Sequence, residues 1–183
     1  PLAFVASRFL FGPAVSSAAR AFVGAIRTVP SILWGVLFVV AFGLGAGAGM
    51  LAVAVYTVGY LTKLYYEAFE GVDREIVEAT RSTGANRVQL FCFAILPESA
   101  NIVLSQALFM FEYNIRASTI MGFVGAGGIG YYMMGYIQML QYRQLLATIL
   151  LTFVVVMIID RLSLSLRSYL GSGIFFYKVG KTR

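Results

Sequence analysis

Two charged residues interrupt a long apolar stretch in the second half of the sequence. Glu112 and Arg116 are four positions apart, so they share one face if the stretch is helical. Charges in apolar surroundings are costly and usually face a cavity or a partner. Two interpretations stay open. The pair neutralises itself and fixes helix packing, or Arg116, with Asn114 nearby, lines a path and attracts an anion.

A glycine-rich segment follows at residues 122–130. Gly125, Gly127 and Gly130 fit the pattern G-x-G-x-x-G, which binds dinucleotides when an acidic residue follows about 20 positions later. The next acidic residue here is Asp160, and the flanks are apolar, so the pattern argues against a cofactor site. These glycines and Gly128 either permit close backbone packing or form a gate on a pathway.

Residue types that serve catalysis and metal binding are scarce in this chain. The 183 residues include no His and one Cys, Cys92, which we interpret as a packing residue. Common zinc sites and a disulfide framework are therefore excluded. Glu112 also lacks a second carboxylate nearby in sequence for acid–base work. We predict no catalytic residue, no metal site and no cofactor on this chain.

Composition indicates a membrane protein. Hydrophobic residues make up 60% of the chain and charged residues 12%, whereas soluble domains carry about 25% charge. The net charge of +6 is spread in clusters between uncharged runs, which argues against nucleic acid binding and is typical of cytoplasmic loops between spans. Because the sequence begins at Pro1 within an apolar stretch, we expect one or more preceding helices.

Four stretches are long and apolar enough to cross a bilayer, which needs roughly 20 helical residues. The longest uncharged run, residues 28–62, is long enough for two spans, and alternating glycines at 43, 45, 47 and 49 supply the break. Pro30 predicts a kink near the start of the first span. The predicted spans are residues 18–42, 46–66, 97–121 and 144–162.

The segment between the second and third spans concentrates charge. Asp73 predicts the N-cap of a short helix, and Gly84 predicts its end. Asn86 and Gln89 predict a capping box that starts a second short helix, which the proline at the start of the third span is expected to stop. The pattern predicts a compact helix–turn–helix on the membrane face, able to transmit force from a soluble partner.

The distribution of basic residues predicts the orientation of the chain. Between Arg87 and Arg143 the sole basic residue is Arg116, so the loop at 122–142 is predicted to be outer. The loop at 67–97 and the C-terminal tail are then cytoplasmic. Tyrosines in the outer loop are typical of the membrane interface.

The cytoplasmic loop resembles the EAA loop of ABC importer permeases through Glu78-Ala79-Thr80, Gly84-Ala85 and Leu96-Pro97. Thr80 stands where that family usually has Ala or Ser, and Ala94 where it often has Ile. The resemblance implies that residues 72–96 form coupling helices that insert into an ATPase subunit. The ATPase-coupling residues it implies are Glu78, Ala79, Thr80, Gly84, Ala85, Leu96 and Pro97.

Other segments extend the resemblance over most of the chain. Residues 27–31 and 124–130 are similar to methionine-type and phosphonate-type permeases, and residues 111–119 to the phosphonate branch, which includes importers of phosphonate, phosphite and phosphate. The implied fold is an all-α, polytopic bundle of the type I importer permease kind, with at least four to five transmembrane helices in a single domain, 1–183. The candidate path or gate residues are Glu112, Asn114, Arg116, Gly125, Gly127, Gly128 and Gly130.

The resemblance also implies an assembly in the bacterial inner membrane, surrounded by lipid. Its expected members are a second permease chain forming a homodimer, two cytoplasmic subunits that bind ATP and Mg, and an extracytoplasmic solute-binding protein. The permease itself would be non-catalytic. The tyrosines of the outer loop are then candidate contacts with the solute-binding protein.

Three alternatives stay open. A methionine or other small-solute permease would share the coupling loop, and the charges of residues 111–119 favour an oxyanion instead. A secondary transporter or channel would not need that loop, so substitution of Glu78 or Gly84 would leave its transport intact. A membrane enzyme is disfavoured by the missing His residues.

Overall fold

The computed structural model describes the backbone of residues 1–179 and the side chains of residues 1–168. All regular structure in this range is helical, which confirms the predicted all-α class. The α-helices of the described chain are Leu2–Ala6 (α1), Pro13–Thr28 (α2), Ser31–Phe42 (α3), Ala46–Glu70 (α4), Arg74–Ser82 (α5), Arg87–Leu90 (α6), Leu96–Met121 (α7), Ile129–Gln138 (α8) and Tyr142–Val179 (α9).

The first predicted span, 18–42, is broken rather than kinked. Helix α2 begins at Pro13 and ends at Thr28, and α3 begins at Ser31. Pro30 is the N-cap of α3 with a ψ of 148°, far from a helical value. Proline lacks an N–H, and it pushes the preceding residue out of the helical region. The helix therefore ends before Pro30 and starts again after it.

The predicted glycine break and second span are confirmed, with a longer helix. Gly43 and Gly45 have φ values of +88° and +148°, which favour glycine, and α4 begins at Ala46 as predicted. It continues to Glu70, four residues beyond the predicted end at 66. The charged residues that suggested an earlier end lie on the last turns of the helix.

Both predicted caps of the charged segment are confirmed. Asp73 Oδ1 accepts a hydrogen bond from the Glu75 N–H at 3.0 Å, which starts α5. Gly84 has a φ of +80° in the turn after it. Asn86 and Gln89 then form a reciprocal capping box, with both side chain-to-backbone bonds at 2.9 Å, and start α6.

The prediction that Pro97 stops the second short helix is wrong. The chain stays helical from α6 through a π-helical turn, Phe91–Ile95, into α7. The Leu96 N–H donates to the Phe91 carbonyl five residues earlier, so the backbone is widened just before Pro97. In a regular helix a proline ring clashes with the carbonyl four residues back. The wider turn relieves that clash without ending the helix.

The predicted outer loop, 122–142, contains a helix that was not expected. After α7 come a 3₁₀ turn, Gly122–Val124, and a glycine turn, and then α8 spans Ile129–Gln138. The final helix was predicted to end at 162, but α9 continues to Val179. The last four residues of the C-terminal tail lie outside the described range.

Length and composition support the predicted number of spans within the described residues. Three helical stretches are long and apolar enough to cross a membrane: Ala46–Glu70, Arg87–Val124 and Tyr142–Ser168. The pair α2 and α3 becomes a fourth if it is counted as one broken span. Four spans were predicted in the same parts of the chain.

The chain forms two compact units, whose boundaries fall within α2, α4, α7 and α9. The first unit contains residues 1–25 and 59–107 with part of the C-terminal helix, and the second contains residues 26–58 and 108–168. The core of the first unit is built from Phe69, Val77 and Ile95, with Phe4 and Phe91 packed edge to face. The core of the second unit is built around Ala52, Met121 and Ala126, with Trp34 and Phe38 against them.

Candidate functional site

The helix–turn–helix formed by α5 and α6 is anchored on its apolar side. Val77 of α5 and Leu90 of α6 are each only 2% exposed, and both belong to the core cluster that includes Phe69 and Val72. Burying such side chains stabilises each by about 1.5–3 kcal/mol. The short helices are therefore held as one rigid piece of the first unit.

The opposite side of this element is open. Glu78, Ala79 and Gly84 are exposed, while Thr80 and Ala85 are half-buried. The Thr80 hydroxyl donates to the Ile76 carbonyl of its own helix at 2.9 Å, so Thr in place of Ala or Ser is accommodated locally. These five predicted coupling residues lie together on one helix–turn–helix.

The other two predicted coupling residues lie elsewhere. Leu96 and Pro97 are exposed at the start of α7, after the π-helical turn. They follow α6 along one continuous helical path rather than closing the turn. Leu96 and Pro97 therefore lie outside the helix–turn–helix that carries the other five residues.

Contacts with residues near the N-terminus hold this element in place, and those residues were not predicted as site residues. The Arg81 guanidinium donates to the Phe9 carbonyl, and Glu70 at the end of α4 forms an ion pair with Arg20. The Arg20 side chain also donates to the Ala6 carbonyl at 2.9 Å. The charges of Arg20, Glu70 and Arg81 were visible in the sequence, but their partners are distant in the chain.

The predicted pair in the second unit is real but belongs to a larger network. Arg116 lies 3.7 Å from Glu112, whereas Arg167 of α9 lies 2.6 Å from the same carboxylate. Arg116 is closer to Asp160 of α9, at 3.3 Å. The network therefore holds two acids and two arginines and is formally neutral. Asp160 and Arg167, seven positions apart on one helix face, were not predicted as members.

The members of this network differ in exposure. The Glu112 side chain is 11% exposed and that of Arg167 is 28% exposed, whereas those of Arg116 and Asp160 are 47% and 36% exposed. Glu112 and Arg167 thus make the short, sheltered contact. Arg116 makes two longer contacts in a more open place.

Asn114 faces away from this network. It is two positions from both Glu112 and Arg116, and two positions correspond to about 200° around a helix. The Thr57 hydroxyl of α4 donates to the Asn114 side-chain oxygen at 3.0 Å. Arg116 and Asn114 are therefore neighbours in the sequence, but their side chains lie on different faces of α7.

Asn114 lines a cavity of about 540 Å³ within the second unit. The wall is mainly apolar, with Thr57, Asn114 and Ser118 as its polar side chains. Of the predicted path residues, Asn114, Gly127 and Gly128 line this cavity. Gly125 lines a neighbouring cavity of about 440 Å³ with the tyrosines Tyr131, Tyr132 and Tyr136.

The glycine turn has both a packing and a lining role. Gly127 has a φ of +75°, and a Cβ there would lie 2.7 Å from the backbone of Ala46. A Cβ on Gly130 would collide with the carbonyl oxygen of Thr119. Close packing of backbone against backbone therefore explains Gly130, while Gly127 combines such packing with a place in the cavity wall.

These features define the class of the protein. Span-length apolar helices, an ion network between two of them and an exposed helix–turn–helix make it a polytopic helical membrane protein. A solved structure of the inward-facing MetNI methionine ABC transporter contains a chain with the same fold. The TM-score is 0.75 over 92% of this chain and 84% of that one, at 21% identity.

Sequence comparison gives the family. Residues 1–171 match the family of binding-protein-dependent transport system inner membrane components, and the chain belongs to that family. It is 41% identical over 92% of its length to a phosphite transport system permease protein of Stutzerimonas stutzeri. It is 40% identical over 86% of its length to a phosphate-import permease protein of Mycolicibacterium smegmatis. The predicted resemblance to permeases of the phosphonate type is confirmed.

The matches cover only part of those relatives. The chain spans 62% of the length of the phosphite permease and 30% of the length of the phosphate permease. Both are permease subunits of transport systems, and the family name places such components in the inner membrane.

Proposed function

We propose that this chain is the membrane-spanning permease subunit of an ATP-driven importer, and that α5 and α6 couple it to the ATPase. The observation that carries the proposal is the exposed helix–turn–helix, capped at both helix starts and anchored in the core of the first unit. A partner that pushes on its open side moves a rigid body, because the caps and core oppose local unfolding.

The rigidity has identifiable sources. Each N-cap contributes about 1 kcal/mol, and Asp73 and Asn86 supply one each. Gly84 permits the turn with a φ of +80°. The bond from Arg81 to the Phe9 carbonyl ties the turn to the N-terminal segment. A flexible loop would absorb the displacement that this element transmits.

The substrate that we propose is a phosphorus oxyanion: phosphonate, phosphite or phosphate. The similarity to permeases named for phosphite and phosphate supports this class. Arg116 is the candidate anion contact, since its ion pairs at 3.3 and 3.7 Å are longer than the 2.6 Å contact of Arg167. A passing anion can replace Asp160 as its partner without exposing Glu112.

The proposed path also uses the cavity wall and the glycine turn. Asn114, Gly127 and Gly128 line the larger cavity, Gly125 lines the neighbouring one, and Gly130 holds the turn against α7. Glu112 fixes Arg116 and Arg167 in place. These residues form a proposed path or gate element within the second unit.

The proposed assembly is a homodimer of this chain with two ATP-binding subunits and an extracytoplasmic solute-binding protein. ATP and Mg²⁺ would be held by the ATPase, so this chain would be non-catalytic and carry no cofactor or metal. The C-terminus and the loop of α5 and α6 would both face the cytoplasm, as the distribution of basic residues predicts.

Reconstituted transport tests the coupling role. The complex, with its ATPase and binding protein, is placed in liposomes with Glu78→Ala, and uptake of phosphite and phosphate is measured beside ATP hydrolysis. We expect uptake to fall at least tenfold while the subunits still insert. Glu75→Ala, another exposed carboxylate of α5, is the matched control and retains most of the uptake. Unchanged uptake in Glu78→Ala, together with uptake that needs no ATP, would favour a secondary transporter or channel instead.

The same liposomes test the substrate class. Binding protein loaded with phosphite, phosphate or methylphosphonate is compared with addition of methionine, and stimulation of ATP hydrolysis is recorded. An oxyanion importer responds to at least one of the phosphorus compounds. A response to methionine alone would move the protein to the small-solute alternative.

A further inference from the structure

The first unit has an open cavity of about 380 Å³ beside the turn between α5 and α6. One wall is the segment of residues 8–12, and the other is the turn itself, with Ala85. Three arginines line it: Arg8, Arg81 and Arg87. None of the proposed path residues lines this cavity, and Ala85 is the one proposed coupling residue in its wall.

The cavity carries an excess of positive charge. None of its lining residues, all within the described chain, is a carboxylate. The Arg8 backbone N–H donates to the Glu70 carboxylate at 2.7 Å. That carboxylate already forms an ion pair with Arg20. Like charges gathered in one place repel one another, so a bound anion would relieve a cost that the fold otherwise carries.

Two of the three guanidinium groups are already held in place. Arg81 donates to the Phe9 carbonyl, and the Arg87 guanidinium lies 5.2 Å from the centre of the Phe11 ring. Groups that are held before binding lose less entropy when a ligand arrives. The planar guanidinium fork presents paired N–H donors that match phosphate oxygens. The chemistry of the lining therefore suits an oxyanion of the phosphate type.

We propose that this cavity binds a phosphate-type oxyanion, either as a free ion or as the headgroup of an anionic lipid. The bound anion would bridge Arg8 of the N-terminal segment to Arg81 and Arg87 on the helix–turn–helix. It would thereby hold the turn of α5 and α6 more firmly. The inference does not depend on the transported solute, because binding here is measured without transport.

Two probes distinguish the sources of the anion. The purified full chain, with any subunits that accompany it, is placed in nanodiscs of neutral phosphatidylcholine, and binding of radiolabelled inorganic phosphate is measured by equilibrium dialysis. In a second arm, phosphatidylglycerol is added to the nanodiscs, and its retention is measured by native mass spectrometry. The variants are Arg87→Gln and Arg8→Gln, and Arg74→Gln is the control, since Arg74 is exposed on α5 outside the cavity.

The expected result is at least a tenfold weakening of one probe in both cavity variants and no change in Arg74→Gln. Loss of phosphate binding identifies a free anion, and loss of phosphatidylglycerol retention identifies a lipid headgroup. Arg81 is left intact because its bond to Phe9 supports the turn. Retention of both probes at wild-type strength in the two cavity variants would overturn the proposal. An equal loss in Arg74→Gln would also overturn it, because general charge would then explain the binding.

Discussion

At the scale of single residues, the main ion-pair partner of Glu112 is determined by distance and burial more than by spacing in the sequence. Arg116 is four positions away, yet Arg167 makes the shorter contact in a less exposed place. Removing Arg167 leaves the sheltered Glu112 carboxylate with only the longer contact from Arg116, and breaking a buried pair costs about 3–5 kcal/mol. The two arginines should therefore respond differently to substitution.

We predict that Arg167→Ala lowers the free energy of unfolding by about 3 kcal/mol, and Arg116→Ala by about 1 kcal/mol or less. The reason is that Arg116 is half exposed and its ion pairs are longer. Thermal unfolding in detergent measures the difference. The double variant Glu112→Gln with Arg167→Gln should recover part of the loss, because no unpaired charge remains.

The variant Arg116→Ala also separates a packing role of Arg116 from a transport role. If Arg116 contacts the anion, Arg116→Ala reduces oxyanion uptake at least tenfold in complexes that assemble normally. Failure of assembly in Arg116→Ala would instead make its role structural. Arg116→Lys keeps the charge and is expected to retain part of the uptake.

Glycine substitutions give a second contrast at this scale. Gly127→Ala places a Cβ 2.7 Å from the backbone of Ala46 at a φ of +75°, so we expect destabilisation of about 1–3 kcal/mol. Gly47→Ala, in open space within α4, should be neutral or slightly stabilising, because alanine favours a helix. Melting temperatures of the two variants make the comparison. Equal melting temperatures would contradict the packing role of the glycine turn.

At the scale of elements, the features that the sequence predicted best are local ones. The caps of α5 and α6 depend on bonds spanning two or three residues, so Asp73, Asn86 and Gln89 could be identified from spacing alone. The continuous helix through Pro97 could not, because it depends on a widened turn that begins at Phe91. Helix α8 was not predicted, because its segment is short, follows a run of glycines and itself contains glycines and tyrosines.

We predict that Asn86→Ala lowers ATP-driven uptake by loosening the start of α6. The capping box supplies two reciprocal bonds, and losing an N-cap costs about 1 kcal/mol. Hydrogen exchange at α6 should rise while exchange in α7 stays slow. Ser82→Ala is the matched control. The Ser82 hydroxyl donates a hydrogen bond to the Glu78 carbonyl of its own helix, so we expect uptake to change little.

At the scale of the whole molecule, composition and charge were sufficient to predict the membrane class and the positions of the span-length helices. Long apolar helices indicate a membrane directly, because the length of each must match the thickness of the bilayer core. The partners of charged residues within the spans were harder to predict. Arg167 was placed in a tail after a span ending at 162, so its pairing with Glu112 on a distant helix could not be foreseen.

The most direct test of the central claim is a site-specific cross-link from the exposed face of α5. In a Cys92→Ser background, Ala79→Cys is treated with a short bifunctional thiol reagent in membranes that contain the assembled transporter. Met139→Cys, exposed between α8 and α9, is the matched control for the predicted outer side. The proposed coupling role predicts a covalent product with the ATP-binding subunit from position 79 and none from position 139. The opposite pattern, or labelling of position 79 from outside the cell, would contradict it.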